Sequence, residues 1–147
     1  MRIVLAICAF FGHRNFSYQK YEEKISAYIM ELIAEKNVVQ FYSGFRGDFD
    51  ILCAKLVCNI KFRYPHIVNT MVLSYHPRSD FILPTYFDDS VYLLEQEVPP
   101  RFAITYTNRK IVDLSDYIIS GTLLKTGGAA DACKYAMSKK KVILSIF

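Results

Sequence analysis

Tyr117-Ile118-Ile119-Ser120, followed after a short loop by Thr126-Gly127-Gly128-Ala129-Ala130-Asp131, reads as a buried strand, a glycine corner and the opening of a helix. Paired glycines at such a corner let backbone N–H groups approach a phosphate or another anion, at the end where the helix dipole favours negative charge. Two more glycine corners lie upstream, Phe11-Gly12-His13-Arg14 and Ser43-Gly44-Phe45-Arg46-Gly47-Asp48. Each follows a strand-like run. Three such corners in one short chain predict one shared ligand cleft.

Working outward, strands and helices alternate. Ile3 to Phe10 is a continuous apolar run, as a strand buried on both faces of a parallel sheet requires. A long amphipathic helix follows from Tyr18 to Glu35, with Tyr21, Ile25, Tyr28, Ile29, Leu32 and Ile33 on one stripe. Val38 to Ser43 is the next strand, Phe49 to Lys61 the next helix, and Ile67 to Tyr75 a third strand. His76 to Pro100 carries Pro77, Pro84, Pro99 and Pro100, which exclude a long helix and predict an irregular excursion with a short extended piece at Val91-Tyr92-Leu93. Regular structure resumes with a helix over Phe102 to Leu114, the strand Tyr117 to Ser120, a helix from Gly128 to Ser138 and a last strand, Val142 to Ile146. This alternation predicts an α/β, Rossmann-like three-layer sandwich with a mostly parallel sheet of about five strands. Ligands in such sheets bind beyond the carboxyl ends of the strands, where all three glycine corners fall.

The 147 residues suit one domain with a real core, and half the chain is apolar. The net charge of +4 is mild, and the one basic run, Lys139-Lys140-Lys141, reads as a solvated helix end. With no aromatic-basic stripe, that charge argues against a nucleic-acid partner. Cys8, Cys53, Cys58 and Cys133 lack metal or redox spacing and read as reduced core thiols of a cytoplasmic protein. The histidines are too scattered for a metal motif, so neither metal nor cofactor is expected. No segment approaches an uncharged membrane-spanning length, and the N-terminal apolar run, short and without a cleavage site, reads as a strand and not a signal peptide.

The corners supply the candidate site. Gly12, Gly44, Gly47, Gly127 and Gly128 either admit a ligand or simply turn the chain. Arg14 either grips a phosphate in bidentate fashion or pairs with a carboxylate such as Asp50. His13 is a general base, a ligand contact or a structural histidine bonded to backbone. Asp48 caps its helix, while Asp50 either holds a ribose hydroxyl or orients Arg14. Arg46, within a Gly-x-x-Gly turn, is expected to be exposed and to meet phosphate. Arg109 contacts ligand or pairs with Asp113 one helical turn on. Lys125 and Thr126 flank the glycine pair, and the backbone N–H groups of Gly127, Gly128 and Ala129 are the expected anion donors.

Taken together, Phe11-Gly12-His13-Arg14-Asn15-Phe16, Ser43-Gly44-Phe45-Arg46-Gly47-Asp48-Phe49-Asp50, Arg109 with Asp113 and Asp116, and Gly127-Gly128-Ala129 followed by Tyr135-Ala136 resemble the SLOG superfamily. That Rossmann-like group includes the Lonely Guy phosphoribohydrolases and the DNA-processing protein A family. The likeness is greatest to its small, poorly characterised bacterial members with a Gly-His-Arg corner, and it spans nearly the whole chain in order. It implies one SLOG-like nucleotide-binding domain over residues 1–147, paired as a homodimer or other homo-oligomer. It also implies a nucleotide-derived ligand, such as one related to ADP-ribose, bound by a sensor or accessory module. Lonely Guy enzymes place a catalytic glutamate after their glycine motif. In either register that position here is Ala132 or Lys134, so that chemistry is not expected and no catalytic residue is assigned. The alternative is an N-glycosidic hydrolase acting on a nucleoside or nucleotide, with Asp48, Asp50 or Asp131 as a substitute acid.

Overall fold

Alternating side chains of the first strand send Cys8 and Phe10 to one apolar cluster and Ala9 and Phe11 to another, so both faces of the sheet are covered. The computed structural model describes residues 4–147 and contains β1 (Ala6–Gly12), α1 (Glu22–Lys36), β2 (Val38–Ser43), α2 (Asp48–Ile60), β3 (Val68–Leu73), β4 (Asp89–Tyr92), α3 (Ala103–Leu114), β5 (Tyr117–Gly121), α4 (Gly128–Ser138) and β6 (Val142–Ser145). Helices α1 and α2 cover one face through Ile25, Ile29, Phe49 and Cys53, packed on Phe10, Phe41 and Ile119. Helices α3 and α4 cover the other through Ile111, Val112, Ala132 and Ala136, packed on Phe11, Tyr42 and Ile118.

The strand order is β4-β3-β2-β1-β5-β6 and every pairing is parallel. The expected three-layer α/β fold is therefore present, with six strands where about five were expected. The chain steps outward from β1 to β4, then returns to place β5 on the other side of β1. The order thus reverses beside β1, and Gly12 and Gly121 pair at the carboxyl ends of the two strands that flank the reversal.

The sixth strand is β4, inside the proline-rich excursion. Its four residues include two exposed polar ones, so no apolar run marks it. Asn69 and Asp88 hold it to β3: the Asn69 N–H donates to the Asp88 carboxylate (2.8 Å), and the Asp88 N–H donates to the Asn69 carbonyl (2.8 Å). Lys61 pairs with the same carboxylate, and the Asn69 side-chain amide donates to the carbonyls of Tyr86 and Ala54. Other boundaries shift by a few residues. β1 begins at Ala6, with Val4 and Leu5 exposed, and Ile3 lies outside the described residues. Among the described residues no helix is long and apolar enough to cross a membrane.

Candidate functional site

Beyond the carboxyl ends of β1, β2 and β5 lies a cavity of about 470 Å³. Gly12, His13 and Arg14 line it from the first corner, and Gly44, Arg46, Gly47 and Asp50 from the second. Thr126, Gly127, Gly128 and Ala129 line it from the third. Arg109 stands apart. Its guanidinium lies over the Tyr135 ring at 5.6 Å, and the Tyr135 hydroxyl donates to Asp113 (2.7 Å), so an aromatic ring takes the place of the expected Arg109–Asp113 pair.

The glycines divide into two kinds. A Cβ on Gly12 would run into the Phe49 ring, and one on Gly47 into the backbone of Arg14. One on Gly44 would sit 2.8 Å from the Arg46 guanidinium. These three permit close packing between corners. Gly127 is different: its φ of 107° belongs to glycine, and nothing lies within 4 Å of a Cβ built on it or on Gly128. No side chain caps α4, and its first intrahelical bond is Asp131 N–H to the Gly127 carbonyl (2.9 Å). The N–H groups of Gly128, Ala129 and Ala130 therefore have no partner among the described residues. Two of the three equivalent donors of α2 are consumed, because Asp48 N–H donates to the Arg14 carbonyl (2.8 Å) and Phe49 N–H to that of His13 (3.4 Å). Of these two helix starts at the cleft, α4 is the one with all three of its first donors open.

The charged groups also sort by geometry. Arg14 is exposed at the cavity rim, and its guanidinium has no hydrogen bond or ion pair among the described residues. Arg46, expected to be exposed, is half-buried instead. Its guanidinium turns inward over Gly44, donating to the Ser74 hydroxyl and to Asn108 Oδ1 (2.8 Å). Phe45 makes that turn possible with φ of 53°, a left-handed conformation uncommon for an aromatic residue, and its ring packs edge-on to Phe87. Asp50 accepts the Arg46 N–H (3.2 Å). Burial pushes its carboxyl up to about 6, against the opposing pull of that bond and of Arg46 and Arg14. Asp48 accepts the Phe16 N–H (3.0 Å) and so braces the first corner. Asp131 is exposed on α4, outside this cavity.

His13 is a structural participant. Its N–H donates to the Tyr18 hydroxyl (2.8 Å), which donates in turn to the Gly121 carbonyl (2.6 Å). Its Nε2 accepts the N–H groups of both Leu123 (2.8 Å) and Leu124 (3.1 Å). Sequence reasoning missed Asn108, Ile104 and Asn15 in the cavity wall, and Ser74 behind Arg46. Asn108 and Ile104 share one face of α3, one turn apart. Arg109, the residue picked for its charge, is rotated about 100° away from Asn108.

No protein-family model and no curated protein matches the chain. Solved structures do. DNA processing protein A from Streptococcus pneumoniae superposes with a TM-score of 0.67 at 18% identity, over 96% of this chain and 50% of that one. DNA processing protein A from Helicobacter pylori, described for its single-stranded DNA binding mode, gives 0.64 at 20% identity, over 95% of this chain and 64% of that one. A structural-genomics target, TM1055, gives 0.57 at 13% identity, over 95% of this chain and 72% of that one. The chain thus spans half to under two thirds of the DNA processing protein A structures it matches. These neighbours overturn the expectation that nucleic acid is not a partner class. That expectation weighed charge over the whole chain, whereas an anion meets the local field, and here an unpaired arginine and open helix donors share one cavity. The chain thus shares the Rossmann-like, parallel α/β fold of these structures.

Proposed function

We propose that the cavity binds a phosphate-bearing nucleotide, and that the protein acts as a nucleotide-binding module of the sensor or accessory kind. One observation carries this reading: the uncapped start of α4 and the unpaired Arg14 line the same cavity at the point where strand order reverses. The phosphate sits on the N–H groups of Gly128 and Ala129, where the helix dipole adds to the donors. Arg14 closes on it with charge-assisted hydrogen bonds. Asn108 and Asp50 face the sugar, and Ile104 and Leu124 give the base an apolar wall. The cavity's size falls within the usual range for small-ligand sites, about 300–1,000 Å³.

A second reading is favoured by the fold shared with DNA processing protein A: the bound phosphate belongs to a single strand of DNA. Calorimetry with AMP and with a 5′-phosphorylated oligothymidylate separates the two. A mononucleotide site binds AMP at least as well as the oligomer. A strand site prefers the oligomer by orders of magnitude and loses affinity steeply with salt. In either case Arg14→Ala and Gly128→Asp are expected to weaken binding at least about tenfold, or ~1.4 kcal/mol. Binding that neither substitution weakens would place the site elsewhere and defeat the reading.

A further inference from the structure

We propose that His13 is the positioning residue of this cavity: through its unprotonated Nε2 it fixes the loop that presents the start of α4, and protonating it releases that loop. The inference rests on the phosphate-binding reading above only in what the loop presents. Two backbone donors, from Leu123 and Leu124, converge on one ring nitrogen at 2.8 and 3.1 Å. A nitrogen that accepts carries no proton, so the ring proton resides on Nδ1. Apolar burial does not hold this loop, because the Leu123 and Leu124 side chains are 57% and 62% exposed. Its other anchors lie at its two ends. At the strand end Thr122 bonds Ser120 Oγ through its N–H (3.3 Å) and its hydroxyl (2.7 Å), the hydroxyl also reaching Cys133 Sγ (3.9 Å). Toward α4 the exposed Lys134 ammonium donates to the Lys125 carbonyl (2.8 Å). His13 itself is fastened by Tyr18 to the Gly121 carbonyl, and its ring meets Phe16 edge-on at 6.3 Å. The residue thus ties the end of β1 to both the end of β5 and the loop beyond it.

The consequence has a sign opposite to simple electrostatics. An imidazolium touching a phosphate would tighten binding on acidification. Here the imidazolium Nε2–H would face two N–H donors, the loop would lose its anchor, and binding would weaken. The charged and titratable groups around His13 are Arg14 on its own loop, Asp48 and Asp50 on α2, Tyr18 before α1, and Lys125 on the loop it holds. Protonating Asp50 removes negative charge from the cavity and acts in the opposite direction, so the pH profile is to be read in Asp50→Asn alongside the wild type.

The first test needs no ligand. Long-range ¹H–¹⁵N correlation of the histidine rings is expected to show the Nδ1–H tautomer for His13, with the Leu123 and Leu124 amide resonances moving together with the ring as it titrates. An Nε2–H tautomer, or amides indifferent to the ring's titration, would overturn the proposal. The second test uses AMP. His13→Ala is expected to lose about tenfold in affinity, while His13→Gln, whose Oε1 can accept but does not titrate, keeps binding and, in the Asp50→Asn background, keeps only the pH dependence that the phosphate of AMP itself brings. Affinity that rises as His13 protonates in the Asp50→Asn background would contradict it. Failure of the wild type to bind AMP would count against the AMP reading, leaving the tautomer and amide titration to decide the role of His13.

Discussion

At the scale of single residues, the two glycines that open α4 make separable predictions. Gly127 holds φ at 107°, so Gly127→Ala is expected to cost about 1–2 kcal/mol in a urea melt. Gly128 lies in the first turn of the helix with open space around it, so Gly128→Ala is expected to stabilise by roughly 0.5–1 kcal/mol while lowering AMP affinity. Asp50 makes a pH-dependent prediction. Its folded carboxyl titrates at about 6, above its unfolded value of roughly 3.9. The folded state therefore binds the proton more tightly, and its stability falls as pH rises from 4 through 6, by at most about 3 kcal/mol. Asp50→Asn keeps an oxygen for the Arg46 N–H and removes the charge. Urea melts are expected to show the variant more stable than wild type by about 1–3 kcal/mol at pH 8, with the difference vanishing at pH 4.

At the scale of elements, what joins β1 to β5 beyond their last paired residues is a hydroxyl. Tyr18, buried before α1, accepts from His13 N–H and donates to the Gly121 carbonyl, and burial pushes its phenol up to about 12, so it stays a donor. Tyr18→Phe leaves both backbone groups without that partner and is expected to cost about 1–3 kcal/mol, with hydrogen exchange accelerated in the first corner and in the loop after β5. The elements themselves were largely legible. Val38–Ser43 matches its apolar run residue for residue, and Gly128–Ser138 starts where the glycine pair predicts. β4 was legible only in part: Val91 and Tyr92 fall in the expected extended piece, but Asp89 and Ser90 are polar, and the edge strand is held by Asn69, Asp88 and Lys61, partners 19 to 27 residues apart. Asp88→Ala is expected to loosen that edge, raising exchange at Asn69 and across β4 while leaving β1 and β5 protected.

At the scale of the whole molecule, the corners were legible and their division of labour was not. Glycine after a strand marks a place where chain or ligand comes close, but only tertiary packing shows that Gly12 admits the Phe49 ring while Gly128 faces open space. Likewise, Arg14 and Arg46 look equivalent in sequence; Ser74 and Asn108, from β3's end and α3, turn one of them inward. The central claim is that a nucleotide phosphate rests on the open start of α4 opposite Arg14. Amide chemical-shift mapping of the ¹⁵N-labelled protein on addition of AMP, and separately of 5′-phosphorylated oligothymidylate, tests it most directly. The account predicts that one of these probes moves the Gly128, Ala129 and Ala130 amides most, with Arg14 and its neighbours next. Saturable shifts centred instead on the groove between residues 93–99 and α3, with the start of α4 unmoved, would contradict it.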